Sequence, residues 1–413
     1  FRQRVVKDLK DNNQEITADL LASSSFVDDN ALSVETYPQA ATFCKEAIKA
    51  FASYNAELHE PLISDKNGRY DSNGVPHKEP EVNEEAESRI FGFFYNAFKD
   101  EIRLPIQRNI NHKRRGIGVG QDLLPGEVNN LQLTMRMVSS FQMSIHDFMG
   151  FMSILTVRGK ILLSKIQEVL PPSTAANWDQ VLPPELLEEG RQYIKMMIEA
   201  DDPIFKRSPP PGILKELHCH VDGAKDCYAI VIWGLFINDS GNKGSKLLYS
   251  KNKVSKRTIP EQELSSMAMG TQCLCNMVKI YPSVETCHIF GDSEAVFYQT
   301  RASYKTKDVF RANKHYFIQS NLDELKDANV KVHIHLVRSA HNGADPVSKF
   351  IESSVTLIKS SSWWQGPVWM TQEQSSWPLA ELPSVSQQQN TVESGEVVSS
   401  LPKTDCYATM ERK

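Results

Sequence analysis

No run of ~18 apolar residues occurs in this 413-residue sequence, which argues against a membrane-spanning helix. There is no apolar leader segment and no initiating Met; the chain opens on Phe1-Arg2-Gln3-Arg4 as if cut from something longer. A piece of a polyprotein or a truncated reading frame is therefore expected. Zinc-ligand spacing is missing too. The seven cysteines (Cys44, Cys219, Cys227, Cys273, Cys275, Cys287, Cys406) form no pair of C-x-x-C clusters, and Cys273 and Cys275 lie too close together, inside a helical pattern. An odd number at irregular spacing fits a reduced, intracellular compartment. Excess basic charge is absent as well: the net charge is −5. That weighs only slightly against a nucleic-acid binder, because a local groove matters more than the total.

What is present is ordinary globular material, 40% hydrophobic and 23% charged, in a length that suits two or three domains. A charged, helical start leads to Ser25-Phe26-Val27-Asp28-Asp29-Asn30, which reads as a β-hairpin turn, with a helix over 35–58. Two acids in a turn are, taken alone, simply solvated. Residues 64–90 are polar and acidic, a linker or long surface loop, before strand-like Arg89–Phe98. The glycines of 109–120 lack the Lys-Ser/Thr of a phosphate loop, and His112-Lys113-Arg114-Arg115 reads as a solvated basic loop. A helical pattern runs over 131–170, rich in Met of the core-filling kind, and a second over 184–200. Ser208-Pro209-Pro210-Pro211-Gly212 marks a domain boundary.

Beyond it the order reads β-β-β-α-β-α-α-β-α, a mixed five-stranded sheet flanked by helices. Strands are expected over 214–221, 228–237, 245–249, 284–290 and 332–336. Helices are expected from Pro260, over 308–325 with Val309, Ala312 and Tyr316, and from Asp345 through Ile351. Four acids fall at element ends: Asp222, Glu263, Asp292 and Asp345. Any one would normally be a surface carboxylate. As a set from separate elements, they supply the hard oxygen ligands that a pair of divalent cations needs. Lys251, Lys253, Lys256 and Arg257 crowd the loop before Glu263, where they meet substrate phosphates or are plainly solvated. His335 and His341 precede Asp345, placed for proton transfer or as surface residues; His218 and His220 read as alternating strand residues. The tail from 356 thins into Ser, Gln, Glu and Pro and looks disordered. Its exception is Trp363-Trp364-Gln365-Gly366-Pro367-Val368-Trp369, read as an apolar clip that packs on a neighbouring domain, with base stacking as the alternative.

These segments, in order, resemble the Pol polyprotein of BEL/Pao-type long-terminal-repeat retrotransposons. Phe26-Val27-Asp28-Asp29 resembles its Tyr-Val-Asp-Asp palm hairpin. Lys113-Arg114-Arg115-Gly116, Leu133-Thr134, Met143-Ser144-Ile145-His146-Asp147-Phe148-Met149-Gly150 and Thr156-Val157-Arg158-Gly159-Lys160 resemble its connection region. Thr258-Ile259-Pro260-Glu261-Gln262-Glu263-Leu264 resembles its ribonuclease H helix start, Asn342-Gly343-Ala344-Asp345 its Asn-Pro-Ala-Asp, and Trp363-Trp364-Gln365-Gly366-Pro367 its Trp-Trp-x-Gly-Pro. The motifs that carry the resemblance run from Phe26 to Pro367.

It implies a division into the end of a reverse transcriptase palm with linker (1–104), a helical thumb or connection region (105–207), a ribonuclease H-like domain (213–355), and a clip and tail towards a missing integrase (356–413). It implies two Mg²⁺ ions, or Mn²⁺, on Asp222, Glu263, Asp292 and Asp345, with Asp28 and Asp29 as metal-binding acids of an incomplete palm that does not polymerise alone. The implied substrate is the RNA strand of an RNA–DNA hybrid. The other implied partners are the remaining Pol segments, the upstream palm and fingers and the downstream integrase, with no membrane. The implied location is the cytoplasmic virus-like particle and the nucleus. The region after Leu58 departs from the family's Lys-Trp-containing segment; Gly223 stands where the family prefers a second small residue after Asp and Gly343 replaces Pro, both tolerable changes. A decayed or host-retained remnant that binds without cutting, and a ribonuclease H-fold nuclease or transposase of another kind, are the alternatives.

Overall fold

A computed structural model describes residues 2–26, 29–30, 34, 36–56, 63–65, 68–70, 87–90, 92–96, 99–106, 110, 123–301 and 306–380. Asp28, the basic cluster at 112–115, most of the acidic linker and the tail beyond 380 lie outside the described residues. Near the N-terminus, helices Arg2–Asp11, Glu15–Ser24 and Tyr37–Ala52 pack on Val5, Leu9, Leu21 and Phe43. Ser25–Phe26 and Asp29–Asn30 pair antiparallel, the expected hairpin.

The expected mixed five-stranded sheet is present. Strands β1 (Ile213–Gly223), β2 (Cys227–Ile237) and β3 (Lys243–Val254) form an antiparallel meander. Strands β4 (Thr286–Gly291) and β5 (Lys331–Leu336) then add parallel to it, so the spatial order is β3-β2-β1-β4-β5. Parallel neighbours need crossovers. Helix α4 (Ile259–Ile280) connects β3 to β4, and α5 (Glu294–Arg301) and α6 (Val309–Asp327) connect β4 to β5.

Alternation along β1 sorts the side chains onto two faces. Leu217, Cys219 and Val221 pack with α4 residues Leu264, Met267, Ala268 and Leu274. Gly270 lets the helix lie this close, since a Cβ there would stand 2.8 Å from Val221 Cγ1. The even-numbered Glu216, His218, His220 and Asp222 take the other face. In α6 the buried residues are His315, Ile318, Asn321 and Leu325, whereas Val309 and Tyr316, the apolar residues that marked this helix in the sequence, point to solvent.

The expected linker over 64–90 contains paired strands among its described residues, Ile63–Asp65 with Gly68–Tyr70 and Ser88–Ile90 with Phe93–Asn96, and three further expectations are corrected. The single helical run over 131–170 is two helices, α1 (Met135–Met143) and α2 (Ser153–Val169). The break occurs because the Asp147 carboxylate accepts the Phe151 and Met152 N–H groups at 2.7 Å each, turning the chain before α2. Gly150, at φ +76°, then passes so close to Ser250 that a Cβ would fall 1.7 Å from its carbonyl oxygen, and the Ser250 N–H donates to Met149 O at 2.9 Å. The segment Ser144–Gly150 is thus a clasp that docks the helical region on β3. Secondly, β3 extends to Val254 and carries Lys251 and Lys253 on the strand rather than in the loop. Thirdly, the helix from Asp345 ends at Ser348 (α7), because Lys349 is extended at φ −141°.

With α3 (Pro184–Glu199), the helices α1 and α2 share one core with the sheet: Leu133, Phe141, Ile154 and Tyr193 belong to the same cluster as Val231, Trp233, Val347 and Trp363. The tryptophan clip closes it. Trp363, 1% exposed, donates from Nε1 to Phe151 O at 2.9 Å, and Trp233 donates to Trp363 O at 3.0 Å. Trp364 stacks on Phe205 at 4.5 Å. Both indole N–H groups are satisfied, so the apolar burial is not offset by an orphaned donor. Trp363→Ala is expected to lower the unfolding free energy by ~3–5 kcal/mol in urea titration.

Candidate metal centre and nucleic-acid face

Each acid is delivered by the end of an element. Asp222 is the penultimate residue of β1. Glu263 is the fifth residue of α4, just past its first turn; the sequence offers two glutamates here and the helix start assigns their tasks. Glu261 caps, accepting the Thr258 N–H at 3.1 Å, which leaves Glu263 to face the sheet. Asp292 directly follows β4 and Asp345 opens α7.

Carboxylate oxygens of Asp222, Glu263 and Asp292 lie within 4.8 Å of one another. Burial, then repulsion from Asp222 and Asp292, pushes Glu263 up to about 9. Burial also raises Asp222 to about 6, assisted by Asp292 and Asp345 and opposed by the Ser348 hydroxyl that donates to it. An all-oxygen donor set whose members resist ionising together is one that a hard divalent cation fits.

Asp345 stands beside this trio rather than within it. Its carboxylate pairs with Lys349 Nζ at 2.6 Å, and that hydrogen bond raises the lysine, with further attraction from Asp222 and Asp292. Lys349 was not singled out from the sequence; its spacing four residues after Asp345 was the available signal.

Neighbouring residues hold the acids in place. Asn342 Nδ2 donates to Val221 O at 2.9 Å and to Asp292 Oδ1 at 3.2 Å, tying β1 to the end of β4. Ser339 Oγ also donates to Asp292. Gly223 is required by close approach: a Cβ there would meet Glu263 N at 2.2 Å, and its own N–H hydrogen-bonds the Glu263 carboxylate. Gly343, where the resembled pattern has Pro, donates its N–H to His220 Nδ1 at 3.0 Å, and a Cβ would strike the Trp233 ring at 2.5 Å. A proline has no N–H to donate and carries the Cβ that would clash.

The other residues singled out separate into groups. Lys251 and Lys253 are exposed on β3, and Lys253 and Arg257 repel Lys314 of α6, a cation absent from the sequence reading. Lys256 pairs with Glu168 at 2.7 Å, and Arg257 sits 3.8 Å over the Phe310 ring. His341 is exposed in the turn whose Ser339 holds Asp292. His335 is buried: its Nε2 faces His288 Nδ1 at 2.9 Å, among Phe290 and Trp377, so its ring lies in the sheet's aromatic layer. The side chain of Asp29, like all of Asp28, lies outside the described residues.

Residues 134–293 match the family model described as the Pao retrotransposon-like RNaseH-like domain. The segment 134–293 carries the signature of a Pao retrotransposon-like RNaseH-like domain. No curated protein matches the chain. Among solved structures it is similar to an N-terminal RNase H domain from Mycobacterium tuberculosis, fused to maltose-binding protein, at 15% identity over 36% of this chain and 99% of that one, TM-score 0.26. It is also similar to RNase H1 from Halobacterium salinarum, at 16% identity over 31% and 89%, TM-score 0.21. A foamy viral protease–reverse transcriptase in complex with double-stranded DNA aligns at 12% identity over 77% of this chain and 47% of that one, TM-score 0.37.

The raised Glu263 predicts a pH dependence. A carboxyl whose folded value lies above its ordinary 4.5 favours folding only while protonated. Without metal, stability therefore falls as pH rises from 4.5 towards about 9. Glu263→Gln should raise the metal-free melting temperature at pH 8 by at least roughly 2–4 °C and flatten its pH profile, while losing most of the stabilisation by Mg²⁺.

Proposed function

We propose that this Pao-like domain is a metal-dependent ribonuclease H that cuts the RNA strand of an RNA–DNA hybrid, as the nuclease segment of a retrotransposon Pol polyprotein. The observation that carries the reading is the convergence of Asp222, Glu263 and Asp292 within 4.8 Å. Asp345 would complete the ligand set once a cation takes over the charge that Lys349 now balances. Two Mg²⁺ ions, or Mn²⁺, supply when bound an attacking water of lowered pKa and stabilisation of the leaving 3′ oxygen.

The protein's own part is positioning. Asn342 and Ser339 fix Asp292, Ser348 fixes Asp222, and the Gly223 N–H orients Glu263. His341, exposed beside this group, is the residue available to carry a proton. Lys251, Lys253 and Arg257, joined by Lys314, offer cations to the phosphates of a bound duplex. Residues 105–207 serve as the connection region and 213–355 as the nuclease, with palm, fingers and integrase segments of Pol as partners. Among the described residues no helix is long and apolar enough to cross a membrane. Action within a cytoplasmic particle and the nucleus belongs to the same reading.

The test is cleavage of a labelled RNA–DNA hybrid by the full chain with Mg²⁺. RNA-strand cutting that Asp292→Asn reduces by ~10²-fold or more supports the reading. A folded chain that binds hybrid without metal and leaves the RNA intact overturns it in favour of a non-cutting remnant. Replacing Lys251 and Lys253 by Ala should weaken hybrid binding across sequences and reduce the salt-dependence slope by ~1–2.

A further inference from the structure

The sheet face opposite α4 carries a second set of ligating side chains, away from the oxygen-only centre. His218 of β1 and His288 of β4 are direct cross-strand partners on adjacent parallel strands, and Glu216 precedes His218 by one pleat on the same face. Ligand atoms of these three residues lie within 4.8 Å of one another. His218 Nε2 stands 3.1 Å from Glu216 Oε2, and His288 Nε2 stands 3.5 Å from the same oxygen. A tetrahedral ion with bonds of about 2.0–2.1 Å has ligand–ligand edges of about 3.3–3.4 Å, between those two separations.

The geometry points to a single Zn²⁺-type ion held by Glu216, His218 and His288, with a fourth position open to water beside the partly exposed Glu216. The chemistry of the donors agrees. Two imidazoles and one carboxylate suit a borderline transition metal, whereas the all-carboxylate centre suits Mg²⁺, so the chain sorts two kinds of cation by ligand hardness.

His288 also has the support expected of a metal-ligating imidazole. His288 Nδ1 faces His335 Nε2 at 2.9 Å, which fixes the ring so that Nε2 points at Glu216. Trp377 covers the group, its ring 5.3 Å from His218 and 4.9 Å from His288. The ion would therefore pin β1 to β4 beneath the C-terminal tryptophan segment, at the junction of the meander with the parallel strands. None of the nuclease acids takes part.

The test uses the full chain, stripped with a chelator and titrated with Zn²⁺ against a chromogenic competitor. The background is Asp292→Asn, which weakens the carboxylate centre as a rival site. One ion per chain should bind, and Co²⁺ in its place should show the visible absorption of a tetrahedral site. Glu216→Gln keeps the side-chain volume on a partly exposed residue and should weaken Zn²⁺ binding by at least ~100-fold; His335→Phe should weaken it by ~10–100-fold. Unchanged affinity in a folded Glu216→Gln chain overturns the proposal. So does Zn²⁺ binding that disappears with Glu263→Gln instead, or no retained ion at all.

Discussion

Three carboxylates that share a volume less than 5 Å across repel one another, and the folded chain holds Asp222, Glu263 and Asp292 in that relation, with the Lys349 ammonium beside them on Asp345. Burial makes the repulsion stronger, because fewer waters screen it. The result is written in the acids themselves, Glu263 pushed up to about 9 and Asp222 to about 6. Such an arrangement persists only if the elements bearing the acids are fixed by other contacts. Much of the fold around the centre supplies that fixation.

The sheet provides most of it. β1 is central, with β2 on one side and β4 on the other, so Asp222 and Asp292 end neighbouring strands whose register is set by paired backbones. Gly270 lets α4 settle onto β1, and Gly223 lets the first turn of α4 reach the strand end, which brings Glu263 over the site. On the opposite face the Asp147 clasp docks the α1–α2 region on Ser250, and Lys160 Nζ reaches Asn252 Oδ1 at 2.6 Å. Asn252 in turn donates to Val347 O at 3.2 Å, so the helical region contacts α7, the element that begins with Asp345. Trp363 then seals this junction between Phe151 and Trp233. The α1–α2 region is thus mechanically continuous with the short helix that begins at the fourth acid.

Much of this was legible in the sequence because it rests on periodicity. The five strand segments, the helix from Pro260 and the element ends carrying the four acids follow from spacing alone. Other features depend on contacts between distant segments. The apolar pattern runs on through Ile145 and Met149, but Asp147 captures two N–H groups and breaks the helix. Lys251 and Lys253 resemble a polar loop until edge-strand pairing with β2 places them on β3. Lys349 gains its position only when α7 stops after one turn. His335 looked available for proton transfer, yet the β4–β5 register sets it beside Phe290 and against His288. Gly343 seemed a tolerated replacement for Pro, whereas Trp233 and His220 occupy the space and the hydrogen bond that make glycine necessary.

The central claim is that the converging acids form a divalent-cation centre. The most direct measurement is an anomalous-difference map from crystals of the full chain soaked in Mn²⁺. The account predicts a peak between the carboxylates of Asp222, Glu263 and Asp292, with the Lys349 ammonium withdrawn from Asp345. A map with no peak there, and Lys349 still paired to Asp345 at saturating Mn²⁺, would contradict it.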